Sequence, residues 1–192
     1  MDTIPGTKEI ILKNALSLFS RRGFESTGIQ ELVNEAGITK PTLYYYFGSK
    51  QGLLEAIVTE YGGALLEITR RASQYNHDLV MNLTGLFQDI IQYAFAHPDY
   101  FRLMLDLFSS APETSGYAAG NGLRKALVSI IESLFALASG DHGNMKDRQK
   151  MYAETFFGLI ETWALLALNG EMELSSHIQY RIVHQYMHGI FS

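Results

Sequence analysis

The sequence predicts an all-α protein, with an N-terminal three-helix unit followed by a C-terminal helical bundle. Three observations predict it. Apolar residues recur at helical spacing along most of the 192 residues. No alternating run flanked by hairpin turns argues for strands. The breaks between the apolar runs carry helix caps and stops. A hydrophobic fraction of 47% against 18% charged residues supplies enough apolar surface for a packed core.

The elements follow in order. Ile10, Ile11, Ala15, Leu18 and Phe19 predict a first helix from about Lys8 to Arg22, stopped at Gly23. Thr27-Gly28-Ile29-Gln30 fits a capping box, with Thr27 as cap and Gln30 reaching back to its amide. That short second helix ends at Gly37. Thr39 caps a third helix with Pro41 in its first turn, ending around Phe47-Gly48. Ser49 caps a long fourth helix from Lys50 to about Arg71, which contains the costly pair Gly62-Gly63. Further helices are expected at about 78–95, 98–109, 121–138, 145–169 and 173–190. Ser109 to Asn121, with Pro112, Gly116 and Gly120, reads as a loop or broken helix, and 139–144 as a turn.

Composition excludes several classes. There is no cysteine, so thiolate catalysis, thiolate metal sites and disulfides are absent from these 192 residues. No apolar run approaches the ~18 residues of a membrane span. Met1-Asp2-Thr3-Ile4-Pro5 has neither a basic start nor an apolar segment, so a cytoplasmic protein is expected, without membrane contact. Net charge is −5, but unevenly placed: residues 1–50 hold six Lys/Arg against five acids, whereas 51–192 hold nine against fifteen. A polyanion would be met by the first fifty residues.

Residues 27–50, TGIQELVNEAGITKPTLYYYFGSK, carry the chemistry. They read as a helix–turn–helix: a short helix, a tight turn at Gly37 and a second short helix. Ile29, Leu32, Val33, Ile38 and Leu43 are expected to face inward. The other face of the second helix holds Lys40, Thr42, Tyr44 and Tyr45, groups suited to phosphate oxygens and base edges.

Over about residues 8 to 60 the chain resembles the DNA-binding domain of the TetR family of bacterial transcriptional regulators. The matching features are Gly23-Phe24, Thr27-Gly28, Glu35-Ala36-Gly37-Ile38, Thr42-Leu43-Tyr44-Tyr45-Tyr46-Phe47 and Ser49-Lys50, together and in register. The resemblance implies that residues 1–50 form the DNA-binding domain (helix–turn–helix about 28–47), that 50–71 link it onward, and that 72–192 bind a ligand and dimerise. It implies DNA contacts as follows. Thr27 would cap the second helix and touch a phosphate, and Gln30 would meet a base or backbone. Thr39 and Lys40 would open the recognition helix, Lys40 reaching a guanine edge or phosphate. Thr42 and Tyr44 would bond phosphates, Tyr45 would pack on sugar or a thymine methyl, and Lys50 would contact the backbone. Tyr46 and Phe47 are assigned mostly to packing. Glu31 and Glu35 would weaken the assignment if they faced DNA.

The resemblance further implies a homodimer on a palindromic double-stranded operator, most often a repressor, released by a small-molecule effector. The helix at 145–169 is apolar on both sides, with Tyr152, Phe156, Leu159, Trp163 and Leu166 on one stripe. A helix apolar all round needs burial on both sides, so it and the helix at 173–190 (Ile178, Ile182, Val183, Met187, Ile190) are expected to form the dimer interface. Candidate effector-pocket walls are Leu65, Phe87, Tyr93, Phe101, Met104, Leu105, Phe108, Phe156 and Trp163, suggesting a hydrophobic or aromatic ligand. Glu161 needs a partner, either Arg181 across the dimer in a salt bridge or a cationic ligand. His177, His184 and His188 share a helix face but lack completing ligands, so neither a metal nor a cofactor is expected. Gly62-Gly63 is either a hinge or a close-packing site. No nucleophile elbow, phosphate loop or carboxylate pair supports the rival class, an enzyme built on a helical bundle. Intact Lys40, Thr42, Tyr44 and Lys50 argue against the other, an interaction module without DNA binding.

Overall fold

The computed structural model describes residues 6–189. Met1–Pro5, on which the expectation about the N-terminal start rests, and Ile190 of the expected dimer face lie outside them. Every regular element among the described residues is helical. By compactness the chain divides into two units, residues 1–63 with 99–123 and residues 64–98 with 124–192. The first unit therefore takes in residues 99–123 of the region expected to bind ligand.

In the first unit α1 spans Thr7–Arg22 and buries Ile11, Leu12, Ala15, Leu16, Leu18 and Phe19 along one stripe. It ends where the Gly23 amide donates to the Phe19 carbonyl, 2.8 Å away. Helices α2 (Ile29–Glu35) and α3 (Lys40–Phe47) pack on each other, α2 also on α1, and α3 on α4 (Lys50–Ile57). Leu32, Val33 and Leu43 are buried; Ile29 and Ile38 are half-buried. The turn between α2 and α3 needs Gly37, whose φ is +63°, and Gly48 closes α3 at φ +71°. Thr39 and Ser49 cap as expected: Thr39 Oγ1 accepts from the Thr42 amide at 3.4 Å and Ser49 Oγ from the Gly52 amide at 2.9 Å.

The cap of α2 is a correction. Gly28, not Thr27, is the capping residue, and Glu31, not Gln30, reaches back: its Oε2 accepts from the Gly28 amide at 3.0 Å. Thr27 is buried and donates to the Gly23 carbonyl at 2.8 Å. Gln30 instead donates along the exposed face to Asn34 Oδ1 at 3.0 Å.

The expected fourth helix is three pieces in continuous succession: α4, a π-helical turn at Val58–Gly62 and α5 (Gly63–Ala72). At Gly62 an added Cβ would lie 2.8 Å from Tyr100 Oη and 3.1 Å from a Leu123 methyl, whereas Gly63 faces open space. Gly62 is thus a close-packing position, and the Tyr61 ring beside it stacks on Tyr100 at 5.2 Å. Helix α7 (Pro98–Ser109) contributes Tyr100, Phe101, Leu103, Met104 and Leu107 to this core.

The expected loop or broken helix over 109–121 is shorter than that: the break between α7 and the next helix is confined to residues 110–114. Helix α8 spans Ser115–Ala138, so Gly116, Gly120 and Gly122 are helical. The smallness of Gly116 and Gly120 serves approach rather than breakage. A Cβ at Gly120 would sit 2.7 Å from Leu107 Cβ and 3.1 Å from its carbonyl carbon. The Gly116 amide, in the first turn of α8, donates to Glu25 Oε1 at 3.0 Å, which ties that turn to the segment between α1 and α2.

In the second unit α6 (Leu79–Ala96) packs against α9 (Gln149–Leu168) and α10 (Ser176–His188). Asp78 Oδ1 caps α6 by accepting from the Met81 amide at 2.9 Å. Helix α9 buries Ala153, Phe156, Phe157, Ile160 and Ala164, while Leu159, Trp163, Leu166 and Leu168 are half-buried and Leu165 is exposed. By length and composition α9 could cross a membrane, although no uninterrupted apolar run of that length exists in it. Glu161 is pushed above its ordinary carboxyl pKa by burial, with Arg124 opposing and Glu154 adding to the shift. Within the chain the cation acting on it is Arg124, and Arg124 Nη2 itself pairs with Glu154 Oε2 at 2.9 Å.

Candidate functional site

The outward face of α3 is the candidate interface. Leu43, fully buried, fixes which way the helix turns, and its neighbours on the other side face out. Thr39, Lys40 and Pro41 are exposed, Thr42 half-buried, and Tyr44, Tyr45 and Tyr46 are exposed, Tyr45 by 84%. An aromatic residue that exposed loses apolar burial unless something else covers it. Tyr46 was expected to pack; it does so on Tyr45 edge-on at 5.1 Å and on Phe47, but remains 39% exposed. It is a surface residue missed in the sequence because three consecutive tyrosines do not by themselves show which points inward. The Thr39 and Thr42 hydroxyls lie 2.9 Å apart, so one donates to the other and their lone pairs stay available outward.

The two acids that could have spoiled this face are neutralised locally. Arg21 Nη2 holds Glu35 Oε1 at 3.0 Å, and Arg22 pairs with Glu31, so each carboxylate is tied to α1. Exposed pairs of this kind add little stability, but they cancel charge where a polyanion would approach.

Lys50 has a different setting from the one expected. Its ammonium donates to the carbonyls of Phe24 at 2.8 Å, Thr27 at 2.9 Å and Glu25 at 3.4 Å, and lies 4.3 Å from the Phe24 ring centroid. Three donors are all that an ammonium has, so none is left for a phosphate. Burial holds its pKa below the ordinary lysine value, with the Glu25 carboxylate opposing. Together with buried Thr27, Lys50 shapes the segment leading into α2. Gln30, Lys40, Tyr44 and Tyr45 are the exposed members of the expected set, with Thr39 and half-buried Thr42 beside them.

A family resemblance rests on these same elements. Residues 11–57, from α1 to the end of α4, match the model for bacterial regulatory proteins of the tetR family. Over those residues the chain is similar to the TetR family. Among curated TetR-type relatives, the biofilm operon icaADBC HTH-type negative transcriptional regulator IcaR of Staphylococcus aureus (strain Newman) is 25% identical over 166 residues, 83% of each chain. Solved structures repeat the fold over nearly the whole chain. The regulator PfmR from Thermus thermophilus has a TM-score of 0.74 at 19% identity, covering 97% of this chain and 98% of that one. FadR from Bacillus subtilis, solved in complex with stearoyl-CoA, has a TM-score of 0.77 at 15% identity, covering 94% and 98%.

The expected effector-pocket residues do not gather around one cavity. Leu65, Phe87, Tyr93, Phe101, Met104 and Phe156 are buried core, and Leu105 and Phe108 are half-buried. Phe101, Met104, Leu105 and Phe108 lie in the first unit and the other five in the second. Trp163 lines a groove of about 550 Å³ between α9 and α10, with Met172, Ile178 and Arg181. The second unit holds another cavity, of about 560 Å³, lined by the start of α6, Phe135 of α8, the 142–145 turn and parts of α9 and α10. None of the nine residues lines it. The available signal was the pairing of a capping Asp78 with His77 and the 139–144 turn, read in the sequence as punctuation alone. His184 and His188 stack at 4.3 Å between ring centroids.

Proposed function

We propose that this chain is a ligand-responsive, DNA-binding transcriptional regulator, a repressor that leaves its operator when a small effector binds. The observation that carries the reading is the outward face of α3, where Lys40, Tyr44 and Tyr45 project from a helix locked by Leu43. Lys40 supplies a base edge or phosphate contact, Tyr44 and Thr42 bond phosphates, Tyr45 packs on sugar or a thymine methyl, and Gln30 and Thr39 flank them. Thr27 and Lys50 act by holding the entry to α2 in place. Residues 1–50 do the reading, 50–71 link, and 72–192 bind the effector and dimerise. The IcaR likeness supports repression, since that protein is a negative regulator. FadR, solved with stearoyl-CoA, supports a fold that admits an apolar effector.

The working form is a homodimer through α9 and α10. Leu159, Trp163, Leu165 and Leu166 leave one side of α9 uncovered, and the adjacent groove exposes Met172 and Ile178. A second copy would bury that side and pair two recognition helices on a palindromic site. Such a regulator works in the cytoplasm, where its operator is, and it is not an enzyme.

Selection of sites from random duplex DNA, followed by a salt titration on the winner, tests the reading. A palindromic winner bound far above random duplex, with affinity falling steeply as salt rises, is the expected result. No enrichment, both alone and with cell extract added to supply a co-ligand, refutes it.

A further inference from the structure

The cavity at the start of α6 has a polar inventory that can be read as a ligand specification. Its walls are apolar and adaptable, with Leu83, Phe135, Met145, Met151 and Met187 among them. Its volume of about 560 Å³ falls within the range of small-molecule sites. Three hydroxyls line it, those of Tyr152, Thr155 and Tyr186, and the last two have already given their protons to main-chain carbonyls: Thr155 Oγ1 donates to Met151 O at 2.8 Å and Tyr186 Oη to Tyr152 O at 2.8 Å. What they still offer is lone pairs. Burial holds the Tyr186 phenol far above its ordinary pKa, so its proton stays on that bond.

The rim points the same way. His77 takes a left-handed backbone, φ +66°, uncommon outside glycine, and sets its Nδ1 2.7 Å from Asp141 Oδ2. Tyr75 Oη donates to the same oxygen at 2.8 Å. In the neutral ring with Nδ1 donating, His77 Nε2 is an acceptor. Asp78 adds a carboxylate to the lining, and among the described residues neither lysine nor arginine lines the cavity. An anionic head would meet the Asp78 carboxylate, with no lysine or arginine to pair with it.

We propose that this cavity is the effector site and that it takes a neutral or cationic aromatic molecule bearing a hydrogen-bond donor, a phenol or aromatic amine, and rejects carboxylates. The proposal rests on the ligand-responsive reading above. It departs from the acyl-chain chemistry of the stearoyl-CoA complex. The donor meets Thr155 Oγ1 or Tyr186 Oη, and the ring lies among the methionines and Phe135. A ligand of the right shape without the donor would leave those oxygens dry and unpaired.

Methyl NMR on the full chain with isotope-labelled methionine tests it, using para-hydroxybiphenyl, para-methoxybiphenyl and para-carboxybiphenyl as probes. The hydroxyl probe is expected to move the Met145, Met151 and Met187 methyls and leave Met104 and Met172 in place. The methoxy probe should bind about tenfold more weakly, and the carboxylate more weakly still. Thr155→Val, at an exposed α9 position, should shrink the hydroxyl-to-methoxy ratio without abolishing methoxy binding, and Tyr186→Phe gives a second reading of the same ratio. Shifts at other methyls, no shifts, equal affinities or a preference for the carboxylate overturn the proposal. This titration needs no DNA, so its outcome is independent of the duplex selection. With a selected duplex in hand, methyl shifts without any loss of DNA affinity on adding the hydroxyl probe would overturn the effector assignment.

Discussion

Lys50→Met separates positioning from phosphate contact. The substitution keeps most of the aliphatic stem but removes the donors to Phe24 O at 2.8 Å, Thr27 O at 2.9 Å and Glu25 O at 3.4 Å. The two shorter charge-assisted bonds contribute about 1.5 kcal/mol each. Losing the partly buried ammonium recovers about 1 kcal/mol of desolvation. The net loss is about 2 kcal/mol, which for a chain of this size lowers Tm by about 4–8 °C. Thermal unfolding followed by circular dichroism reads the stability. Fluorescence anisotropy on specific and random duplexes over a salt series reads the DNA side. Because Lys50 neutralises no phosphate in this arrangement, affinity should fall by a similar factor on both duplexes while the slope of log affinity against log salt stays put. Lys40→Met is the matched control: Tm unchanged, slope shallower by about 1.8 for the two copies on a palindromic site if Lys40 reaches a phosphate, and base preference relaxed if it reaches a guanine edge. An unchanged Tm for Lys50→Met, with the slope shallower by about 1.8 for the two copies, would refute the positioning argument.

Three further outcomes are expected. Gly120→Ala should destabilise by about 1–3 kcal/mol because its Cβ would meet Leu107 at 2.7 Å, whereas Gly122→Ala, facing open space in the same helix, should stabilise by about 0.4–1 kcal/mol; denaturant melts of the pair decide it, and the reverse order sinks the packing account of α8. Glu161→Gln should gain stability over the parent as pH rises. The raised folded-state pKa of Glu161 means its burial penalty is absent below the ordinary carboxyl value and grows as the group ionises, so melting curves at about pH 4 and about pH 7 should diverge only at the higher pH. Glu25→Ala should lower Tm by about 1–3 °C by removing the carboxylate that accepts from the Gly116 amide at the start of α8, and a Tm equal to the parent's would mean the bond contributes nothing.

What was legible in the sequence was whatever is decided locally. Thr39 and Ser49 announce helix starts because a hydroxyl reaching its own third amide needs no tertiary context. Gly37 and Gly48 mark turns because their positive φ is a local demand. The face of α3 was readable because Leu43 sits among residues unsuited to a core. Reading failed where a distant partner decides. Gly116 and Gly120 look like helix breakers until Leu107 is seen against them. Lys50 looks like a phosphate contact until three carbonyls surround it. The aromatic residues expected to wall a pocket, Phe87 and Phe156 among them, do sit in apolar surroundings, but spacing shows burial and not the gap left between buried things.

The first compact unit is assembled from two stretches of chain, and this limits how the reading head can be handled. A fragment ending at Gly63 would carry α1 to α4 but would strip Tyr100 and Leu123 from Gly62, and the first turn of α8 from Glu25. Tyr61 would lose the ring it stacks on. Anyone grafting this head onto another regulator's body should therefore transplant residues 99–123 with it, or redesign the surface that those residues cover. The same constraint acts on recombination between related genes: a crossover just after residue 63 would split a packed unit, so viable hybrids should favour exchange points that leave both stretches with the same parent.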